Sequence, residues 1–192
     1  NKTKIAISND DTRHYLNGIY LHTTESQNRT YLTGVATDSH RLSSSSIEVE
    51  TGKIFHPLIL PKKTVFQLCN LLADTNEKVL IQTSDSKIQF RIGKSKLISK
   101  VIDGKFPDYK KVVPTDNDKI LTVSSSDFVQ AIERVITVSI DRKEGVKLVL
   151  GKDNIKFSVH STNSGEGNEI VKSNYTAEET IVSFNSKYLV DI

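Results

Sequence analysis

The chain has 192 residues, 36% hydrophobic and 26% charged, which fits one or two ordinary globular domains with real cores. No apolar run approaches the ~18 residues of a membrane span, and no basic stretch followed by an apolar one opens the chain as a secretion signal would. The net charge of +3 is too small to mark a nucleic-acid binder by itself, so the placement of charge must carry that argument. The single cysteine, Cys69, excludes an internal disulfide and a cysteine-based zinc site and fits a reducing cytoplasm. The histidines His14, His22, His40, His56 and His160 show no metal-binding spacing, so neither metal nor cofactor is expected.

Taken in order, residues 1–9 are polar and too short to fix a period. Gly18–Thr23 alternates like a strand, Glu25–Arg29 reads as a turn, and Thr30–Ala36 alternates again. A polar hinge follows, Gly34-Val-Ala-Thr-Asp-Ser-His-Arg-Leu42, before a third run at Ser45–Glu50 that Thr51-Gly52 closes. The hinge contains Asp38, Ser39 and His40, the residue types of a nucleophilic triad. Consecutive residues of an extended chain point to opposite faces and cannot converge on one proton-transfer line, and no Gly-x-Ser-x-Gly elbow occurs. No catalytic residue is assigned, and the chain is read as non-enzymatic.

Pro57–Leu60 is a short apolar run ended by Pro61, after which Val65, Leu68, Cys69 and Leu72 share one face at helical spacing. Pro61 suits a first helical turn, which puts Lys62 and Lys63 at the helix end where the dipole disfavours cations by a few tenths of a kcal/mol. Lys78–Thr83, Lys87–Ile92 and Lys96–Ile102 read as three strands. Lys94, Lys96 and Lys100 form either a basic stripe or a solvated strand face, and the interspersed Asp and Ser favour the latter. Phe106–Pro114 holds two prolines and no regular structure, and 115–119 reads as a domain junction. Ser124–Asp127 caps a helix whose inward stripe is Phe128, Ala131, Ile132 and Val135.

The pattern then repeats. Asp141–Leu148 echoes Asp11–Leu21, with Gly18 and Gly145 lying 127 residues apart; Thr180–Val190 parallels Pro57–Gln67, with Pro61 and Asn185 lying 124 apart. Two offsets that nearly agree argue for an α+β chain built from tandem copies of one domain, 1–114 and 115–192. The second copy stops where its second helix begins, and the chain opens on Asn1 rather than Met, so it reads as a piece of a longer protein.

Three segments, Arg13-His-Tyr-Leu-Asn-Gly18, Ala36-Thr-Asp-Ser-His-Arg-Leu42 and Asp103-Gly-Lys-Phe-Pro-Asp-Tyr109, resemble the bacterial DNA polymerase III beta subunit, the sliding clamp. The resemblance covers almost the whole chain, from within that family's second domain into its third, with the first domain absent. It implies a DNA clamp fold in which antiparallel sheets lie outside and helices line a ring, with residues 1–9 as the tail of a helix. It also implies a homodimeric, cytoplasmic processivity factor that encircles double-stranded DNA without reading its sequence.

Partners would be the polymerase III alpha subunit, the clamp loader, and other polymerases and repair proteins that carry clamp-binding peptides. The resemblance assigns DNA contact to Lys62, Lys63, His14 and Tyr15, with His14 standing where the family has Tyr. It assigns a partner-peptide pocket to Arg13, Leu16, Thr37, His40, Leu42, Pro107, Lys111 and Val112, an apolar slot with a polar rim. Family members often carry Arg at the position of Lys111 and Gly at that of Ser39; the Lys gives up bidentate hydrogen bonding. Thr137 and Val138 occupy the place of the ring's dimer interface, where the family prefers bulkier apolar residues. A peptide-binding adaptor with no DNA role is the competing reading; a hydrolase would need a distant nucleophile that the sequence does not offer.

Overall fold

The computed structural model describes residues 2–49, 56–139, 145–162 and 165–191. Its chain divides into two compact units, 1–108 and 109–192. That division falls ahead of the junction expected at 114/115. Phe106 is the last side chain buried in the first unit, and the residues from 107 to 120 are exposed apart from half-buried Tyr109.

In the first unit, strands β1 (Gly18–Ser26), β2 (Arg29–Thr37), β3 (Leu42–Glu48) and β4 (Leu58–Pro61) form an antiparallel sheet of order β3-β2-β1-β4. Helix α1 (Lys62–Leu72) follows, and β5 (Val79–Thr83), β6 (Lys87–Ile92) and β7 (Ser95–Lys100) make a three-stranded meander. The first hairpin is tighter than the expected turn over 25–29. Gln27 and Asn28 take φ of 50° and 61°, the conformation of a two-residue primed turn whose twist matches its strands, so pairing persists to Ser26 and Arg29. The third strand starts at Leu42 rather than Ser45, because Thr37 pairs with Leu42 and confines the hinge to 38–41. The last strand ends at Lys100, and Ile102 instead makes an isolated bridge to Ile59, its amide donating to the Ile59 carbonyl at 2.9 Å. Near the start, Lys4–Ala6 is a single 3-10 turn rather than the end of an α-helix, broken by extended backbone at Ile7.

Ala6, Ile7, Ile19, Ala36, Leu60, Val65, Ile88 and Phe90 fill the core, with Leu68 and Cys69 of α1 packed against it. The helical stripe read from the sequence therefore faces inward as its spacing dictates. Pro61 ends β4 and stands just before α1 instead of within its first turn. The close at Thr51-Gly52 and most of the Asp141–Gly145 echo lie outside the described residues.

The second unit holds β8 (Leu121–Thr122), α2 (Ser125–Val135), β9 (Gly145–Gly151), β10 (Asn154–Ser161), β11 (Gly165–Lys172), β12 (Asn174–Tyr175), β13 (Thr180–Asn185) and the short α3 (Ser186–Val190). Its main sheet has the order β11-β10-β9-β13, the same winding as the first unit's four-stranded sheet. The register repeats as well. Gly18 pairs with Pro61 and Gly145 with Asn185, in each case the residue before a helix. Ser124 caps α2 by accepting from the Asp127 amide, and Ala131, Ile132 and Val135 are buried against Val146, Leu148, Ile155, Phe157 and Val159. Phe128 meets Phe157 edge to face at 5.3 Å, a preferred aromatic geometry.

Candidate functional site

The hinge is a self-capped turn. Asp38 accepts through one oxygen from the amides of His40 (3.0 Å) and Arg41 (2.9 Å), and through the other from Arg41 Nε at 3.1 Å. Thr37 Oγ1 accepts from the Ser39 amide and donates to the Arg41 carbonyl at 2.7 Å. A carboxylate occupied in this way organises backbone rather than a proton relay. Ser39 sits at φ 75°, a left-handed conformation that costs a non-glycine residue of the order of 1 kcal/mol.

The 3-10 segment Asp11–Leu16 meets the hinge through one side chain, since Arg13 donates from a terminal guanidinium nitrogen to Ser39 Oγ at 2.5 Å. Arg13 is held from its other side by Asp10, which accepts from Nε at 2.8 Å. Asp10 also accepts from the Thr12 hydroxyl at 2.6 Å and the Thr12 amide at 2.9 Å. These bonds hold its carboxyl down at about 2, the Thr12 hydroxyl contributing most and Arg13 adding to it.

On the same segment, His14 Nε2 lies 3.2 Å from the Asp103 carbonyl, and His14 and Tyr15 meet edge to face at 5.9 Å. Position 104 has no room to spare: a Cβ there would stand 3.1 Å from that of Tyr15. Just beyond, Phe106 is buried and stacks on Tyr20 at 4.9 Å, which fixes the backbone leading to exposed Pro107.

Of the eight residues expected around a peptide pocket, six belong to the first unit. Arg13 touches the hinge that carries His40 and lies between the paired Thr37 and Leu42. Leu42 is half-buried, whereas Leu16 is 2% exposed and belongs to the packing beneath the surface. Lys111 and Val112 belong to the second unit, Lys111 ending a 3-10 turn (Tyr109–Lys111) and Val112 being 70% exposed. The three apolar residues Leu16, Leu42 and Val112 thus occupy three different environments rather than one common core.

Of the expected DNA-contacting residues, Lys62 and Lys63 open α1, and His14 and Tyr15 lie on the 3-10 segment that precedes β1. The Lys62 amide donates to the Asn17 carbonyl at 2.9 Å, tying the helix start to the end of the segment that bears His14 and Tyr15. Lys62 Nζ also donates to Asn9 Oδ1, and Lys63 is exposed. Two features escaped the sequence reading. Lys4 Nζ and Lys62 Nζ lie 5.6 and 5.9 Å from the centroid of exposed Phe66, within cation–π range. The only sequence signal was an aromatic residue four positions after Lys62 on the polar side of the stripe.

Thr137 and Val138 end a 3-10 turn after α2 (Ile136–Val138). Thr137 is exposed and donates its hydroxyl to the Arg134 carbonyl at 2.6 Å. Val138 packs on the core, and β11 passes so near that a Cβ at Gly167 would stand 2.8 Å from the Val135 carbonyl oxygen.

Residues 1–108 match the family model of the DNA polymerase III beta subunit, central domain, and residues 110–192 that of its C-terminal domain. The chain belongs to the DNA polymerase III beta subunit family. It is similar to the beta sliding clamp of Caulobacter vibrioides, 40% identical over 192 residues that are 100% of this chain and 52% of that one. It is 35% identical over 190 residues to the beta sliding clamp of Haemophilus influenzae, covering 99% of this chain and 51% of the relative. Among solved structures it resembles the sliding clamp of Bartonella birtlesii bound to griselimycin, with TM-score 0.93, 40% identity and coverage of 99% and 52%. The DNA polymerase sliding clamp from Caulobacter crescentus gives TM-score 0.92 and 40% identity, with coverage of 99% and 51%. The chain spans about half the length of the curated relatives it matches. Its fold is that of the DNA clamps of this beta subunit family, mixed helices and antiparallel sheets in tandem domains.

Proposed function

We propose that the chain is part of a sliding clamp, a non-catalytic, cytoplasmic processivity factor that encircles duplex DNA and tethers the replicative polymerase. The observation that carries this reading is the repeated domain, wound and registered alike in both units, in a chain matched along its length by beta subunit models. A protein that slides must hold phosphates without reading bases, since base-edge hydrogen bonds would trap it at one sequence. Encirclement replaces affinity, so a net charge of +3 suffices.

In this reading Lys62 and Lys63 make weak phosphate contacts and His14 and Tyr15 lie beside the duplex. Thr137 and Val138 contribute to closure of a homodimeric ring. Arg13, Leu16, Thr37, His40, Leu42, Pro107, Lys111 and Val112 serve peptides of the polymerase alpha subunit, the clamp loader, other polymerases and repair proteins. Leu42 offers apolar surface, Leu16 is buried, and Arg13 is pre-oriented by Asp10 and Ser39.

The intact protein, loaded on circular DNA, is expected to remain bound until the circle is cut and then to leave. A peptide-binding adaptor would be indifferent to DNA topology, and that outcome would remove the clamp reading. Leu42→Glu with Val112→Glu is expected to abolish polymerase stimulation while leaving loading intact; processive synthesis by this variant would overturn the pocket assignment.

A further inference from the structure

The three-stranded meander of the first unit turns Val79, Ile81, Ile88, Phe90 and Leu97 toward the core and leaves its other face in solvent. Cross-strand register sorts that outer face into rows. Leu80, Arg91 and Lys96 form one, Gln82, Gln89 and Ile98 the next, and Lys87 with Lys100 the last. Arg91 stands directly opposite Lys96, and Lys87 directly opposite Lys100. All four cations are exposed, and among the described residues none has a carboxylate partner. The three strands contain no Asp or Glu; the nearby Glu77 and Asp85 flank β5 outside the strands.

Directly opposed like charges in an antiparallel pair are destabilising, and here the arrangement occurs twice on one face. A face that only needed solubility would be served as well by mixed charge. Leu80, 52% exposed, stands beside Arg91 in the first row and Ile98, 57% exposed, lies in the middle row between the cation pairs, while Gln89 Nε2 donates to Gln82 Oε1 at 2.7 Å and braces that middle row. Lys87 and Arg91 are four residues apart on one strand, a span of about 13 Å.

We propose that this outer face is a docking surface for an acidic segment of a partner protein, one carrying two carboxylate clusters about 13 Å apart around branched aliphatic side chains. The complementarity decides the class of occupant. Carboxylates would neutralise both cation pairs, and Leu80 and Ile98 gain from aliphatic contact. A nucleic-acid strand would leave those two side chains without partners, and the face holds no aromatic residue on which a base could stack. This surface is distinct from the proposed peptide pocket at the hinge, which lies on other strands.

The test uses the intact protein and a fluorescein-labelled synthetic peptide in which pairs of glutamates flank a Leu-Ile centre. Competitors are oligothymidylate and phosphatidylserine-containing vesicles. Saturable binding that weakens with added salt is expected, and Lys96→Glu with Lys100→Glu should reduce affinity at least about tenfold, since it places like charges across the contact. The same replacement turns both opposed pairs into attractive ones, so the melting temperature should hold or rise. Lys96→Gln with Lys100→Gln should weaken binding less and leave melting unchanged. Unaltered binding by the Glu variant would overturn the proposal, as would a fall in melting temperature in both variants, which would mark the lysines as structural. Displacement of the peptide by oligothymidylate or vesicles at equal charge concentration would also overturn it, the face then being a general anion binder.

Discussion

The helices at Lys62 and Ser186 begin at equivalent places in the repeated domain, each directly after a strand residue paired with a glycine of the first strand of its sheet. Their starts are sealed differently. In the second unit Asn185 caps α3, its side chain accepting from the Lys187 amide at 3.0 Å. In the first, Pro61 offers no side-chain cap, and the next two residues are lysines, cations at the positive end of a helix dipole. The glycines differ too. A Cβ at position 18 would collide with the Leu60 carbonyl oxygen, whereas one at position 145 would meet the Phe184 oxygen at an ordinary 3.6 Å. One register thus serves two ends: the second copy caps its helix start with a side chain, and the first packs tightly beneath a start that carries two lysines and no such cap.

The sharpest way to break this contrast is at the glycines. Gly18→Ala should cost about 2–3 kcal/mol, because backbone rather than a flexible side chain must move, while Gly145→Ala should cost under about 1 kcal/mol. Urea unfolding of the two variants, read at constant m-value, distinguishes them; equal losses would erase the asymmetry. Next in size, replacing Lys62 and Lys63 together by Glu should lower DNA retention about tenfold and flatten its salt dependence. The same variant should gain a few tenths of a kcal/mol of helix stability. Loss of stability with retention intact would mean the lysines serve the fold.

Asn185→Ala should cost about 1 kcal/mol, with no counterpart at position 61, where no side-chain cap exists to remove. The smallest effect concerns Asp10. Its carboxyl lies below the ordinary carboxylate value in the folded protein, so its contribution is complete above the unfolded pKa of 3.8 and is lost as pH falls through about 2. Asp10→Asn should lower stability slightly at neutral pH, where that contribution is complete, flatten the acid limb of a pH–stability curve over that window, and leave stability below about pH 2 unchanged.

The duplication was legible because its cues are local and recur at nearly equal offsets: a glycine at a strand start, Gly18 and Gly145, and the residue that leads from a strand into a helix, Pro61 and Asn185. Alternation placed the core strands, and the stripe of α2 was read residue for residue. The turn at Gln27-Asn28 was read too wide, since two polar non-glycine residues with positive φ leave little trace in composition. The candidate site was legible only through the family motifs. The contacts that build it, Arg13 with Ser39 and His14 with the Asp103 carbonyl, join residues 26 and 89 positions apart, and no periodicity reports such pairings. Leu16 shows the same limit, since an apolar residue beside a polar rim reads alike whether it lines a surface slot or, at 2% exposed, is packed beneath the surface.

Ser39 gives the hinge a further property. Its backbone is already fixed in an uncommon conformation, and its hydroxyl already engages Arg13, before any ligand arrives. The entropy loss of freezing this rim therefore belongs to folding and not to recognition. A peptide entering the proposed pocket should be captured at a rate governed by diffusion and its own disorder, with little waiting for the hinge to rearrange.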